Sequence, residues 1–231
     1  MPAYHSALIV GTGSGLSASL ARLFAREGMR VALAARNTGK LAALATETGA
    51  QTFACDAADA GQVGKLFQDV ERAVGAPDVV VYNASSRARG SVAELAPADV
   101  QRAIQISAFG GFLVSQEAAR RMLPKGHGAI LLTGASASVK GYALSAPFAM
   151  GKFALRGLAQ SMARELAPRG IHVAHFVIDG GIRSAVRADP ANNPDSLLDP
   201  DAIAASYLHV LQQPRSAWTW EIELRPWVET F

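Results

Sequence analysis

Three glycines near the N-terminus have the spacing of a phosphate-binding turn. Gly11, Gly13 and Gly15 follow the apolar run 7–10 and precede a helical pattern that begins at Leu16. Glycine lets the backbone turn sharply and approach a phosphate, and the N-terminus of the next helix supplies free N–H groups and a partial positive charge. In an α/β chain this arrangement predicts binding of a dinucleotide pyrophosphate, although an ordinary tight turn is the alternative. The residues predicted to contact it are Gly11, Gly13, Ser14, Gly15 and Leu16.

The end of the second apolar run indicates which dinucleotide is bound. Residues 33–37 read Leu-Ala-Ala-Arg-Asn and contain no acidic residue that could accept a hydrogen bond from a ribose 2′-hydroxyl, as NAD-binding chains usually do. Arg36 could instead form a bidentate, charge-assisted pair with a 2′-phosphate. The sequence therefore favours NADP over NAD, and a solvated loop arginine is the alternative.

Short apolar runs alternate along the chain with longer amphipathic stretches. Continuous runs of Val, Ile, Leu and Ala suit strands that are covered on both faces, as in a parallel sheet. The alternation predicts an α/β single-domain Rossmann fold over 1–231, with a doubly wound parallel sheet of about seven strands and helices on both faces. The predicted strands are 7–10, 30–35, 51–54, 78–82, 129–133, 172–178 and 221–224, and the predicted helices are 16–28, 38–49, 59–75, 97–122 and 146–167.

Composition narrows the function classes. The chain has 231 residues, half of them hydrophobic, which suits one domain with a large core. A net charge of +3, scattered along the chain, is too weak to indicate nucleic-acid binding. The single Cys55 cannot form an internal disulfide, so a reducing compartment is expected. Neither a signal peptide nor a membrane span stands out, and no metal site is expected, so the prediction is a cytoplasmic protein.

Several motifs together resemble one known family. The glycine turn does not fit G-x-G-x-x-G, because Leu16 stands where the third glycine should be. It fits T-G-x-x-x-G-x-G better, with Val10 in place of the Thr and Ser17 in place of the last Gly. With the triplet 83–85 (Asn-Ala-Ser) and the F-x-x-x-K motif at 148–152, the chain resembles the short-chain dehydrogenase/reductase family over nearly its whole length.

The resemblance implies further residues that contact the cofactor. Asp56 matches the Asp that holds the adenine amino group, and Asn83 matches the Asn that steadies the central sheet beside the cofactor. The implied contacts beyond the glycine turn and Arg36 are Asp56, Ala57, Asn83, Ala84, Lys152, Gly180, Ile182 and Ser184. Arg87 and Arg89 could face the substrate, or be solvated as exposed loop arginines usually are.

The resemblance also implies a catalytic group of Asn, Ser, Tyr and Lys. Lys152 matches the Lys, and Ser136 is the favoured match for the Ser, with Ser138 as the second choice. Ser107 stands where the Asn is expected, and Phe148 stands where the Tyr is expected.

Phe148 is the departure that bears most on the chemistry. In the family, the Tyr hydroxyl exchanges a proton with the substrate oxygen and the Lys lowers the Tyr pKa, whereas a Phe ring carries no such proton. Lys152, one helical turn after Phe148, could still bind the nicotinamide ribose. Tyr142, in the loop after the strand that carries the Ser motif, could supply the proton instead. So could a water held by Ser107, Ser136 or Lys152.

The segment 179–199 interrupts the strand–helix alternation. It contains two prolines and few apolar residues, and it follows a strand whose carboxyl end should border the ligand crevice. It is predicted to be a substrate lid, with a plain surface connection as the alternative. Asp179 replaces the Pro that the family has at the start of this segment, and could act as an acid if desolvated or could cap the turn.

Two functions are weighed. The first is an NAD(P)-dependent oxidoreductase of the short-chain type, acting on a small carbonyl or alcohol by a modified proton-transfer route. The second is a catalytically impaired NADP-binding protein, such as a redox sensor or a partner subunit. A different reaction on the same fold is a third alternative.

The expected partners are a small-molecule substrate and further copies of the chain, with no nucleic acid and no membrane. A homodimer or homotetramer is predicted, because helices 97–122 and 146–167 correspond to those that pair across a two-fold axis in the family. The side chains expected to be covered there are Ala154, Leu155, Leu158 and Met162.

Overall fold

The computed structural model describes residues 4–229. Its sheet has seven parallel strands in the order β3-β2-β1-β4-β5-β6-β7. This confirms the predicted single-domain Rossmann fold. The strands are β1 Ser6–Val10, β2 Arg30–Ala35, β3 Gln51–Ala54, β4 Val79–Tyr82, β5 Gly128–Thr133, β6 Ile171–Ile178 and β7 Glu221–Leu224.

The strand sequences explain why both faces of the sheet are covered. Alternate residues of a strand point to opposite faces. In β1, Ile9 packs in one buried cluster and Leu8 and Val10 pack in the other. Helices α1 (Leu16–Arg26), α2 (Ala42–Thr48) and α7 (Pro200–Leu211) contribute to the first cluster. Helices α3 (Ala60–Val74), α5 (Gly110–Met122) and α6 (Ala146–Leu166) contribute to the second.

Helix α7 was absent from the sequence prediction. Asp199 caps it by accepting a hydrogen bond from the Asp201 N–H, and Pro200 occupies its first turn. Both are ordinary helix-start signals. The helix packs on α1 and covers the first cluster with Ile203, Tyr207 and other apolar side chains.

The predicted helix 97–122 is interrupted. It consists of α4 (Pro97–Ile104), a π-helical turn at Gln105–Phe109, and α5. Within this turn the Ile106 carbonyl accepts a hydrogen bond from the buried Tyr82 hydroxyl, which competes with regular helical pairing. A single turn of π-helix inside an α-helix frequently marks a functional site.

The chain reverses its winding direction between β1 and β4. In an open parallel sheet, ligands bind outside the carboxyl ends of the strands at this point. The glycine turn after β1 and the segment 83–87 after β4 therefore lie on either side of the expected crevice.

Candidate active site

The glycine turn packs directly against the segment after β4. Gly11 has φ +86°, and a Cβ at this position would lie 2.3 Å from the Ala84 nitrogen. Only glycine satisfies both conditions, because other residues rarely adopt positive φ and no space exists for a side chain. At Gly13 and Gly15, by contrast, a Cβ would meet no atom within 4 Å. The turn is thus packed tightly against Ala84 at Gly11, whereas free space lies beside Gly13 and Gly15.

Ser17 takes a structural role at the last glycine position of the motif. It is buried in the first turn of α1. Its Oγ donates to the Gly11 carbonyl at 3.4 Å and accepts from Asn83 Nδ2 at 2.6 Å. The Asn83 side chain therefore ties the glycine turn to the end of β4. No side chain caps α1, so its N-terminus is available to an anion.

A cleft of about 280 Å³ runs along this turn. Of the residues predicted to contact the cofactor, it is lined by Gly11, Gly13, Arg36, Asp56, Ala57, Asn83 and Ala84. It is not lined by Ser14, Gly15 or Leu16. Asp56 is held at the edge of the cleft, because its backbone N–H donates to Gln62 and its carboxylate accepts from the Ala58 N–H.

Lys40 is a lining residue that the sequence reasoning missed. It lies with Arg36 at one end of the cleft, and neither cation has an acidic partner within residues 4–229. The signal in the sequence was a second basic residue four positions after Arg36, at the start of the helical segment that follows β2. Two adjacent unpaired cations form a site suited to a phosphate.

A second cavity, of about 300 Å³, continues from the cleft. Asn83 and Ser85 line both of them. The predicted residues Phe148, Lys152, Gly180 and Ile182 line this cavity, together with Arg87 and Arg187. The structure thus places the F-x-x-x-K motif at one end of a continuous crevice and Arg36 at the other.

Lys152 is the polar group most strongly affected by this environment. It is 3% exposed, and its Nζ donates to the Thr133 carbonyl at 2.7 Å. Burial and, to a smaller extent, the positive charge of Arg87 together lower the pKa of Lys152 to about 7. An amine with this pKa can both hold and release a proton near neutral pH.

Phe148 lies between two cations. The Arg87 guanidinium carbon is 4.2 Å from the centroid of the ring, and Lys152 Nζ is 5.9 Å from it. A cation over an aromatic face within about 6 Å is attracted to the ring. Phe148 therefore supports the Arg87 side chain at the cavity wall.

The predicted hydroxyl groups are not brought into the cavity. Ser107 is fully buried in the π-helical turn, where its Oγ accepts from the Ser86 N–H at 3.2 Å and donates to the Ser86 carbonyl at 3.4 Å. Ala135, rather than Ser136, lines the cavity wall. Tyr142 is 48% exposed and its ring faces Lys140.

Ser138, the second choice for the catalytic Ser, belongs to a buried polar network behind the cavity wall. Its Oγ lies 3.3 Å from His175 Nε2 and accepts from the Ala135 N–H. His175 Nδ1 lies 3.0 Å from Glu221, which also accepts two hydrogen bonds from Arg156. Burial lowers the pKa of His175 to about 4. The network therefore holds a neutral imidazole with Ser138 donating to Nε2 and Nδ1 donating to Glu221, and it positions the segment 134–135.

The segment 179–199 contains no helix or strand and is held by backbone hydrogen bonds, such as those between Arg183 or Gly181 and Leu198, and by ion pairs. Arg183 contacts the carboxylates of Asp189, Asp195 and Asp199. The buried Asp179 carboxylate contacts Arg225 at 3.2 Å and Lys140 at 3.4 Å. Ser184 is exposed and lies outside the cavity lining.

Comparison with known proteins places the chain in a family. A family model described as short chain dehydrogenase matches residues 5–193. The chain is 38% identical over 192 residues to the cyclic-di-GMP-binding biofilm dispersal mediator protein of Escherichia coli K12, covering 81% of this chain and 76% of that protein.

Solved structures agree. A short-chain dehydrogenase from Rhodopseudomonas palustris has a TM-score of 0.85 and 34% identity, and the match covers 98% of this chain and all of that one. A metagenomic short-chain oxidoreductase in complex with NADP has a TM-score of 0.83 and 26% identity, covering 96% and 97% of the two chains. Together with the parallel sheet and the glycine turn, these matches establish that the chain belongs to the short-chain dehydrogenase/reductase family.

Proposed function

We propose that the protein is an NADP(H)-dependent oxidoreductase that interconverts a small carbonyl compound and its alcohol. The observation that carries this proposal is the continuity of the two cavities through Asn83 and Ser85. An extended dinucleotide lying along them would have its 2′-phosphate near Arg36 and its nicotinamide near Lys152. The family of the chain and the NADP complex of a structural relative support the same reading.

The residues present fit the cofactor. Gly13 and Gly15 leave open space beside the uncapped N-terminus of α1, which suits a pyrophosphate. Arg36 and Lys40 supply two cations for a 2′-phosphate. When bound, a reduced nicotinamide supplies a hydride to the carbonyl carbon.

In this proposal, Lys152 provides the proton. Carbonyl reduction requires a proton at the substrate oxygen, and Phe148 cannot donate one. The Lys152 ammonium uses one of its three N–H groups on the Thr133 carbonyl, so two remain for the cofactor ribose, a water or the substrate. Its pKa of about 7 makes transfer feasible near neutral pH.

NADPH consumption over a panel of aldehydes and ketones tests this function. We expect the reduction rate to fall as pH rises above about 7, because the donor is then deprotonated. Lys152→Met, which keeps the length of the side chain, should abolish turnover, while Lys65→Met on the surface of α3 serves as the matched control. Unchanged turnover and an unchanged pH profile in Lys152→Met would disprove the proposed proton route.

A second candidate function is NADP(H) binding without turnover. It is favoured by the cavity wall, where Ala135 and Phe148 carry no exchangeable proton. The relative from E. coli is named for ligand binding rather than for a reaction. Tight NADPH binding with no consumption of NADPH over the whole panel would select this function.

We expect the protein to bind NADPH more tightly than NADH. A charge-assisted pair contributes about 1.5–3 kcal/mol, or about 10- to 100-fold in affinity. Arg36→Asp should remove or reverse the preference, and Lys40→Ala should weaken it. Fluorescence titration of both cofactors measures this, with Arg26→Ala on the exposed side of α1 as the control. Equal affinities in the unaltered protein, or a preference that survives Arg36→Asp, would contradict the assignment.

We also propose a homodimer or homotetramer, with a corrected surface. Leu155 and Met162 pack inside the core of their own chain and are not available to a partner. The exposed apolar residues of α5, α6 and the π-helical turn include Phe109, Phe112 and Phe153, at 46%, 40% and 44% exposure. Light scattering should show an oligomer, and Phe112→Asp should convert it to the 24.2 kDa monomer. A monomer at micromolar concentration before any substitution would refute this.

A further inference from the structure

Among residues 4–229, three basic side chains and no carboxylate line the cavity beside Phe148. Arg87, Lys152 and Arg187 line it, and its other lining residues are neutral. Asp179 precedes the lining residue Gly180 in the sequence. Its carboxylate contacts Lys140 and Arg225, and it does not line the cavity. The cavity therefore carries positive charge that the described part of the chain does not balance.

The two arginines differ from the other arginines of the same region. Arg183 and Arg225 each contact carboxylates. Within residues 4–229, neither Arg87 nor Arg187 forms an ion pair. Burial lowers the pKa of Arg87, and the neighbouring charge of Arg187 lowers it as well. Like charges brought together without a counter-charge disfavour each other unless an anion binds between them.

Both guanidinium groups lie beside neutral residues. Arg87 stacks on the Phe148 ring at 4.2 Å. The Arg187 guanidinium occupies the space beside Gly181, where a Cβ would lie 2.4 Å from its Cζ. Gly181 thus makes room for Arg187, and Phe148 provides a platform for Arg87.

We propose that this cavity selects a substrate that carries an anionic group, a carboxylate or a phosphate, bound by Arg87 and Arg187. The planar guanidinium matches the geometry of both anions. The cofactor does not account for these residues, because its phosphates are expected at the glycine turn and at Arg36, toward the other end of the crevice. The identity of the ligand as a substrate rests on the proposed function, whereas the anion site itself does not.

Matched aldehydes that differ only in charge test this inference. The probes are 4-carboxybenzaldehyde, 4-formylphenyl phosphate and the neutral methyl 4-formylbenzoate, titrated by calorimetry into the protein with and without NADP⁺. At least one of the two charged aldehydes should bind at least ten times more tightly than the neutral ester. The charged aldehyde with the higher affinity identifies whether the site prefers a carboxylate or a phosphate. Arg87→Gln and Arg187→Gln should each remove most of this difference, while Arg164→Gln, an exposed residue of α6 outside the cavity lining, should preserve it.

The outcomes separate the two proposals. If the ester binds as tightly as both charged probes, or if the preference survives the Arg87→Gln/Arg187→Gln double variant, the anion site is refuted. Loss of binding in a variant that still melts as the unaltered protein does supports it. Arginine-dependent binding of a charged aldehyde with no NADPH consumption would leave the anion site standing and remove the oxidoreductase proposal. Turnover of neutral aldehydes without any preference for charged ones would support the oxidoreductase proposal and refute the anion site.

Discussion

Phe148→Tyr is expected to raise the rate of carbonyl reduction on neutral aldehydes by an order of magnitude or more. A positioned general acid contributes about 10²–10⁴ in rate, equivalent to about 3–5 kcal/mol of barrier. The two cations beside the ring, Arg87 and Lys152, would lower the pKa of a phenol at this position. The ring would be retained, so the support of Arg87 should persist. Initial rates of NADPH oxidation measure the effect.

The controls for this substitution separate the hydroxyl from the ring. The gain should vanish in the double variant with Lys152→Met, and Phe148→Leu should show none. Adding Ala135→Ser should increase the gain, because Ala135 lines the cavity wall and a hydroxyl there could contact the substrate oxygen. An unchanged or lower rate in Phe148→Tyr would mean that the Phe belongs to a working site with another donor. Lys152, the donor proposed above, would then be the next residue to substitute.

Acid should destabilise the folded protein between about pH 6.5 and pH 4 through His175. The pKa of His175 is about 4 in the folded protein and 6.5 in its ordinary state. Between these pH values the unfolded chain therefore binds a proton that the folded chain does not bind. The stabilisation is fully present above pH 6.5 and is lost as the pH falls toward 4, and it amounts to about 3 kcal/mol. Urea unfolding at a series of pH values measures it.

His175→Gln isolates this contribution from other groups that titrate in acid. Burial also lowers the pKa of His172, so the unaltered protein should lose more stability than His175 alone explains. The free energy of unfolding of His175→Gln should depend less steeply on pH over this interval. Parallel curves for the two proteins would show that the imidazole of His175 does not resist protonation in the fold.

The sheet was predictable because its signal is local. Each buried strand is a short run of apolar residues, and the predicted bounds differ from the observed ones by at most one residue. The π-helical turn was not predictable, because it depends on a hydrogen bond from Tyr82, 24 positions before Ile106. Helix α7 could have been found from Asp199 and Pro200, but its apolar residues are not confined to the buried side, so the helical periodicity of its sequence is weak.

The site residues show the same difference between local and long-range signals. The glycine turn and the position of Lys152 follow from motifs with fixed spacing. Whether Ala135 or Ser136 faces the cavity depends on how the segment after β5 turns, and the buried Ser138–His175 network decides that. Arg187 and Arg87 are far apart in the sequence, and no local motif in either segment predicts that they line the same cavity.

The packing of Ser107 determines which catalytic residues of the family this fold can accept without rearrangement. A Cβ at Gly151 would lie 2.7 Å from the Ser107 Cβ, so α6 presses directly on a side chain that has no exposed surface. A codon for Phe becomes one for Tyr by changing a single base, and position 148 borders an open cavity. An Asn at position 107, by contrast, would place a larger amide in a site with no exposed surface, so the π-helical turn and α6 would have to move apart. A Tyr can therefore be introduced at position 148 by a single base change without repacking, whereas an Asn at position 107 also requires the elements around it to move.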